Sequence, residues 1–121
     1  MKVFFLLSLL SMGCIHLSAQ QKVELKDVAR HIGDSVIVCG KIYGGKYLGS
    51  ASNQPTFLNM GAAYPNQPLT LVIWGAGRKG FSYIPEKKLN NKNVCVKGKI
   101  YVFKGKPQIV IKDEKQITIQ E

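Results

Sequence analysis

Lysines interleaved with rings mark the stretch "NVCVKGKIYVFKGKPQIVI", residues 93–111. Lys97, Lys99, Tyr101, Phe103, Lys104 and Lys106 fall within it. An ammonium group pairs with anionic oxygens, and a ring offers a flat apolar face for another ring to stack on. Together they can hold a ligand that is both anionic and aromatic. The same mixture recurs earlier in Lys41, Tyr43, Lys46 and Tyr47, and further rings stand at Phe57 and Trp74.

Catalytic chemistry finds less support. The acids after the leader are Glu24, Asp27, Asp34, Glu86, Asp113, Glu114 and Glu121. No two are placed by an evident motif for acid–base work. His31 follows Arg30 at the end of a helical stretch, where a cation meets the helix dipole favourably. No nucleophile triad, phosphate loop or metal-ligand spacing is present, so no enzyme activity, metal or cofactor is expected.

The elements that must position these residues belong to a chain of 121 residues with a formal net charge of +10. One domain is expected. Lys2, the apolar run Val3–Leu10 and a small residue at Ala19 read as a signal peptide over residues 1–19, leaving 20–121 as the domain. The apolar run is much shorter than a membrane span of about 20 residues, so no transmembrane segment is expected in the mature chain. The protein is expected to be exported, periplasmic or secreted. A minority alternative reads Ser11-Met12-Gly13-Cys14 as a lipoprotein box, with Cys14 lipid-anchored.

Charge is uneven. Residues 78–121 hold 11 Lys/Arg against 4 Asp/Glu, and residues 20–77 hold 5 against 3. A basic half suggests an anionic partner: nucleic acid, phospholipid headgroups or an acidic glycan. The plain alternative is charge kept for solubility.

Periodicity supplies the scaffold. "KVELKDVARHI", residues 22–32, has helical spacing and stops at Gly33. "DSVIVCGKIYGG" alternates, with Val36, Val38, Gly40 and Ile42 on one face and Cys39, Lys41 and Tyr43 on the other. "GGKYLGSASNQP" reads as a loop, 44–54, carrying Lys46 and Tyr47. "PTFLNMG" and "PLTLVIWG" are strands joined by a turn-rich connection. Phe57 shares parity with Asn59, and Trp74 with Thr70 and Val72, so both rings either face outward or plug the core. "GRKGFSYIPEKKLNNK" has no strand pattern and suits a short helix or turn insert. In residues 93–111, Val94, Val96, Gly98, Ile100 and Val102 form the apolar side, and "KQITIQ" suits a short edge strand.

"VIVCGKIY" and "VCVKGKIY" place Cys39 and Cys95 with the same parity, opposite Ile42 and Ile100. Adjacent strands would bring them close, although a bridge also requires Cα atoms within about 7 Å. Register is open at this point, and a disulfide and two half-buried thiols are both consistent with the pattern.

Three strands, a non-strand insert and two more strands in about 100 residues fit an all-β fold closed into a small five-stranded Greek-key OB barrel, with a short N-terminal helix. Residues 29–112, through "FLNMG", "PLTLVIW" and "GKPQI", resemble a family of small OB-fold domains of exported bacterial proteins assigned to nucleic-acid binding. The periplasmic bacterial OB-fold family is a second relative in architecture, although its Asp-rich second strand is missing here. The first resemblance implies a binding module for single-stranded DNA or RNA, or for an anionic envelope component. In OB folds ligands lie across the second and third strands, between the loops joining strands one to two and four to five. Those loops are 44–54 and 103–107. The implied ligand-binding set is Lys41, Tyr43, Lys46, Tyr47, Phe57, Trp74, Lys97, Lys99, Tyr101, Phe103, Lys104 and Lys106. An envelope protein-interaction or glycan-binding module is the alternative, in which the alternating lysines are a solvated wall. The oligomeric state is left open by the sequence.

Overall fold

The computed structural model describes residues 21–121. The expected signal peptide, the expected cleavage before Gln20 and Cys14 lie outside the described residues.

Two long strands carry the framework. β2, Ser35–Tyr47, buries Val36, Val38 and Ile42 completely, and its intervening residues face outward. β5, Asn93–Phe103, does the same with Val94, Val96 and Ile100. Branched side chains at alternate positions suit a pleated, half-buried strand. Each such aliphatic side chain contributes roughly 1.5–3 kcal/mol when fully buried. The two strands pair antiparallel from Ser35↔Lys99 to Lys41↔Asn93.

Between them runs a circuit of shorter strands. β3, Thr56–Met60, pairs antiparallel with the end of β2 and with β4, Leu69–Ile73. β4 pairs in parallel with β6, Lys106–Val110, and β6 returns antiparallel to β5. With β2–β5, the pairings of five strands trace a ring. The order is OB-like. Two strands flank the ring: β7, Ile117–Gln120, runs along β5 as the expected edge strand, and β1, Gln21–Lys22, runs parallel to β2. β1 has no apolar pattern, and its pairing is not visible in the sequence.

The helices are short. The N-terminal helix is a single 3₁₀ segment, Leu25–Arg30, held by buried Val28. The insert holds α1, Gly75–Arg78, and α2, Pro85–Lys88, with proline at the start of α2, where no amide donor is needed. Buried Leu89 fastens its end to the core.

Three local readings change. β2 does not stop at Gly44 but continues to Tyr47 across a bulge. Ile42 faces Met60 while Gly45 faces Leu58, which leaves one extra residue in β2, and Gly44 takes a positive φ of 78°. The 44–54 loop is therefore shorter, and Lys46 and Tyr47 are strand residues. All five residues of β4 are buried, Thr70 and Val72 included, because β4 has a strand on each side and its outer face is the floor of a cleft. Val102 is 50% exposed although its parity is that of the core, because the β5–β6 hairpin overshoots the ring there.

Gly98 shows why a glycine interrupts β5. A Cβ at this position would lie 2.5 Å from Ile109 Cγ2, so β6 could not approach.

Candidate functional site

A cleft of about 650 Å³ opens over β3 and β4. Register builds its floor. Asn59 faces Thr70, Thr70 faces Gln108, and Gln67 reaches in from the β3–β4 connection. Gln67 Nε2 donates to Thr70 Oγ1 at 3.1 Å, while its buried Oε1 has no partner. The floor thus offers amide and hydroxyl groups rather than a dry apolar surface.

The walls are rings and ammonium groups. Lys46 faces Phe57 across β2 and β3. Phe103, Lys104 and Lys106 come from the β5–β6 hairpin, and Tyr64 from the β3–β4 connection. Lys104 and Gly105 both have positive φ, 49° and 78°, as a tight two-residue hairpin requires. Lys106 Nζ donates to the Pro65 carbonyl at 3.2 Å and ties the hairpin to the connection. Tyr64 is 74% exposed and Phe103 57% exposed, so both present open faces. No carboxylate lines the cleft. Among the described residues, the ion pairs are Arg30–Asp27 and Arg78–Glu86, and His31 is within hydrogen-bond distance of Asp34, so Lys46, Lys104 and Lys106 belong to none.

A second cleft of about 450 Å³ lies beside the first, lined by Trp74, Lys99, Tyr101, Val110, Lys112 and Gln116 together with Gly98. Trp74 is 43% exposed, so it does not plug the core.

Tyr47 is placed differently. The bulge changes the parity of β2, so Lys46 joins Phe57 on the outer face while Tyr47 pairs with buried Thr56. There the Arg78 guanidinium covers its ring at 3.8 Å. The same guanidinium donates to Thr56 Oγ1 at 2.8 Å and makes a fork to Glu86 at 2.6 and 3.0 Å. That fork holds the Glu86 carboxyl below its ordinary range and raises the Arg78 value further.

The twelve residues expected at the site therefore separate. Lys46, Phe57, Phe103, Lys104 and Lys106 line the first cleft, and Trp74, Lys99 and Tyr101 the second. Lys41, Tyr43, Tyr47 and Lys97 line neither. Lys41 lies 5.2 Å from the Tyr43 ring centre, outside both clefts. Asn59, Tyr64, Gln67, Thr70 and Gln108 enter the first cleft without having been singled out. Asn59 carried a signal, since it shares the outward parity of Phe57, whereas Tyr64 lies in a turn-rich connection that has no period to read.

Cys39 and Cys95 stand directly opposite in the β2–β5 ladder, with Cα atoms 4.0 Å apart and sulfurs bonded at 2.02 Å. Gln120 Nε2 of β7 approaches Cys95 Sγ at 2.8 Å. Among the described residues no three His, Cys, Asp or Glu side chains are grouped to hold a metal, and no helix is long and apolar enough to cross a membrane.

No protein-family model matches the sequence, and no curated protein is similar to it in sequence. Similarity appears in structure. The chain superposes on the crystal structure of yeast Stn1 and Ten1 with a TM-score of 0.60 at 8% identity, over 87% of this chain and 65% of that one. It also superposes on a chain described as an aspartyl-tRNA synthetase from Leishmania major Friedlin, with a TM-score of 0.52 at 6% identity, over 89% of this chain. It spans only 22% of the length of the synthetase chain. Identities this low speak for an OB-like fold and not for a shared activity.

Proposed function

We propose that this chain is an exported OB-barrel binding module without enzymatic activity, and that its ligand is single-stranded nucleic acid held across β3 and β4. One observation carries the reading: Phe57, Tyr64 and Phe103 share a cleft with Lys46, Lys104 and Lys106, and no carboxylate opposes them. Rings take stacked bases, each worth about 1–3 kcal/mol, and the ammonium groups track the phosphates. The amide floor of Asn59, Gln67 and Gln108 can meet base edges or sugar hydroxyls. The position over β3 and β4 and beside the β5–β6 hairpin agrees with the ligand face of OB folds, while the opposite wall is the β3–β4 connection, with Tyr64 and Gln67, and not the β2–β3 loop. A similar fold in a chain described as an aspartyl-tRNA synthetase is in keeping with this reading.

The same amide floor also suits the hydroxyls of an acidic glycan, and this is the competing reading. Fluorescence anisotropy with a labelled single-stranded oligonucleotide at three salt concentrations separates the two. Nucleic-acid binding should show affinity falling steeply with salt, and Phe57→Ala should weaken it. Undetectable binding at low salt would end the proposal. Binding that heparin displaces and that is indifferent to Phe57 and Tyr64 would favour the glycan.

A further inference from the structure

We infer that the cleft between Trp74 and Tyr101 is a second binding station, and that a strand held in the first cleft continues into it. This rests on the nucleic-acid reading above.

Trp74 and Tyr101 expose 43% and 49% of their surface in one cleft, while the neighbouring aliphatics Ile109 and Ile111 are buried. Two rings left half-open in one cleft offer flat faces on which bases can stack. Lys99 and Lys112 line the same cleft, and Lys99 Nζ lies 5.5 Å from the Tyr101 ring centre. No carboxylate lines it. The nearby acids are engaged elsewhere: Asp113 accepts from the Lys115 amide, and Glu114 accepts from Ser82. Two rings and two unopposed cations form a station for a base and its phosphate.

The two clefts adjoin along β5 and β6, although no residue lines both. Tyr101 of the second stands in register with Gln108 of the first. Phe103 of the first follows Tyr101 on the same face of β5, about 7 Å along the strand. Thr70 and Gln108 connect this wall to the floor under Phe57. A strand stacked on Phe103 therefore meets Tyr101 next and Trp74 after it. A short oligonucleotide fills the first cleft alone, and a longer one occupies both.

Trp74 is the only tryptophan of the chain, so its emission reports on the second cleft directly. Labelled thymidine oligomers of about 4 and about 12 nucleotides, inside the range of OB-fold site sizes, are titrated while anisotropy and Trp74 emission are followed. Both should bind, and only the longer should quench Trp74. Trp74→Ala should weaken the longer oligomer at least about five-fold, the loss of one stacked base, and leave the shorter unchanged. Lys112→Gln should also weaken only the longer. If the longer oligomer binds without quenching and both variants bind it normally, the second station is wrong while the first-cleft reading stands. A short oligomer that quenches Trp74 and binds as tightly as the long one also overturns it. If neither oligomer binds, both readings fall.

Discussion

The Arg78 guanidinium lies 3.8 Å from the centre of the Tyr47 ring, and its other side forks onto Glu86. A tyrosine that the sequence offers as a stacking surface is thus already stacked from within. Arg78 belongs to α1 and Glu86 to α2, so the fork binds the two halves of the insert to each other. Through Thr56 and Tyr47 it also binds them to β3 and β2. Arg78→Lys keeps the charge but loses the planar fork and the stacking. It should lower stability by about 1–2 kcal/mol, read as a drop in thermal midpoint, with oligonucleotide affinity unchanged at a temperature where both proteins are folded. Tyr47→Ala should behave likewise. A selective loss of binding in Tyr47→Ala would return Tyr47 to the ligand site.

The fork has a pH signature. The unfolded chain protonates Glu86 near the ordinary carboxylate value of about 4.3, and the folded chain only at lower pH. The stability gained from the depressed value is fully present above about pH 4.3 and is lost as pH falls through the lower folded-state value. Both side chains keep 17–18% exposure, so the loss on Glu86→Gln at neutral pH should be below that of a fully buried pair. About 1–2 kcal/mol is expected. Denaturant melts of both proteins should differ at pH 7 and converge as the pH falls below the ordinary carboxylate value. A gap that stays constant would remove Glu86 from the acid response.

Cys39 and Cys95 are separated by 56 residues and joined across the β2–β5 ladder. Closing a loop of that size removes up to about 4 kcal/mol of unfolded-chain freedom. Thiol titration of the denatured, unreduced protein should find neither of these sulfurs free. The Cys39→Ala, Cys95→Ala double variant should unfold at lower denaturant concentration by about 2–4 kcal/mol, with its ring of strands intact. Two titratable thiols at these two positions would refute the bridge.

Gly45 lines the first cleft, and a Cβ there would lie 2.5 Å from the Phe57 carbonyl oxygen. That oxygen is backbone, so β2 and β3 must separate to make room. Gly45→Ala should cost about 1–3 kcal/mol and, by displacing Phe57, should also weaken ligand binding. An unchanged midpoint would mean that the bulge at Gly44 absorbs the methyl group.

The framework was readable because burial imposes a period of two. Val36, Val38, Val94, Val96 and Ile100 alternate with polar neighbours, and the shared parity of Cys39 and Cys95 follows from the same count. The same count gave Phe57 the parity of Asn59 but left open whether its ring faces outward or plugs the core. The period failed where one residue was added: the bulge beside Gly44 exchanges the faces of Lys46 and Tyr47, and nothing in "YGGKY" states which strand will bulge. It failed again at Val102, where the hairpin outruns the core that gives alternation its meaning. The clefts combine residues from as many as five elements, and only pairing register brings Asn59, Thr70 and Gln108 into one row. Register is set by the ring as a whole, so the floor of the site had no local signature.

Salt and ring contributions should separate cleanly at the first cleft. Each phosphate contact releases counterions, and log K falls with log salt by about 0.7 per contact for single strands. Lys46→Gln, Lys104→Gln and Lys106→Gln should each flatten the slope by about that amount. Phe57→Ala or Tyr64→Ala should lower affinity and leave the slope as it was, since stacking releases no ions. Lys41 and Lys97 provide the contrast, because both are basic strand residues that line neither cleft. If charge acted only through the net field of the protein, Lys41→Gln and Lys97→Gln would flatten the slope as much as the cleft lysines do. A slope that responds to Lys104 and Lys106 but not to Lys41 and Lys97 places the phosphates in the cleft. Equal responses at all these positions would mean a diffuse basic surface, with no built site under Phe57, Tyr64 and Phe103.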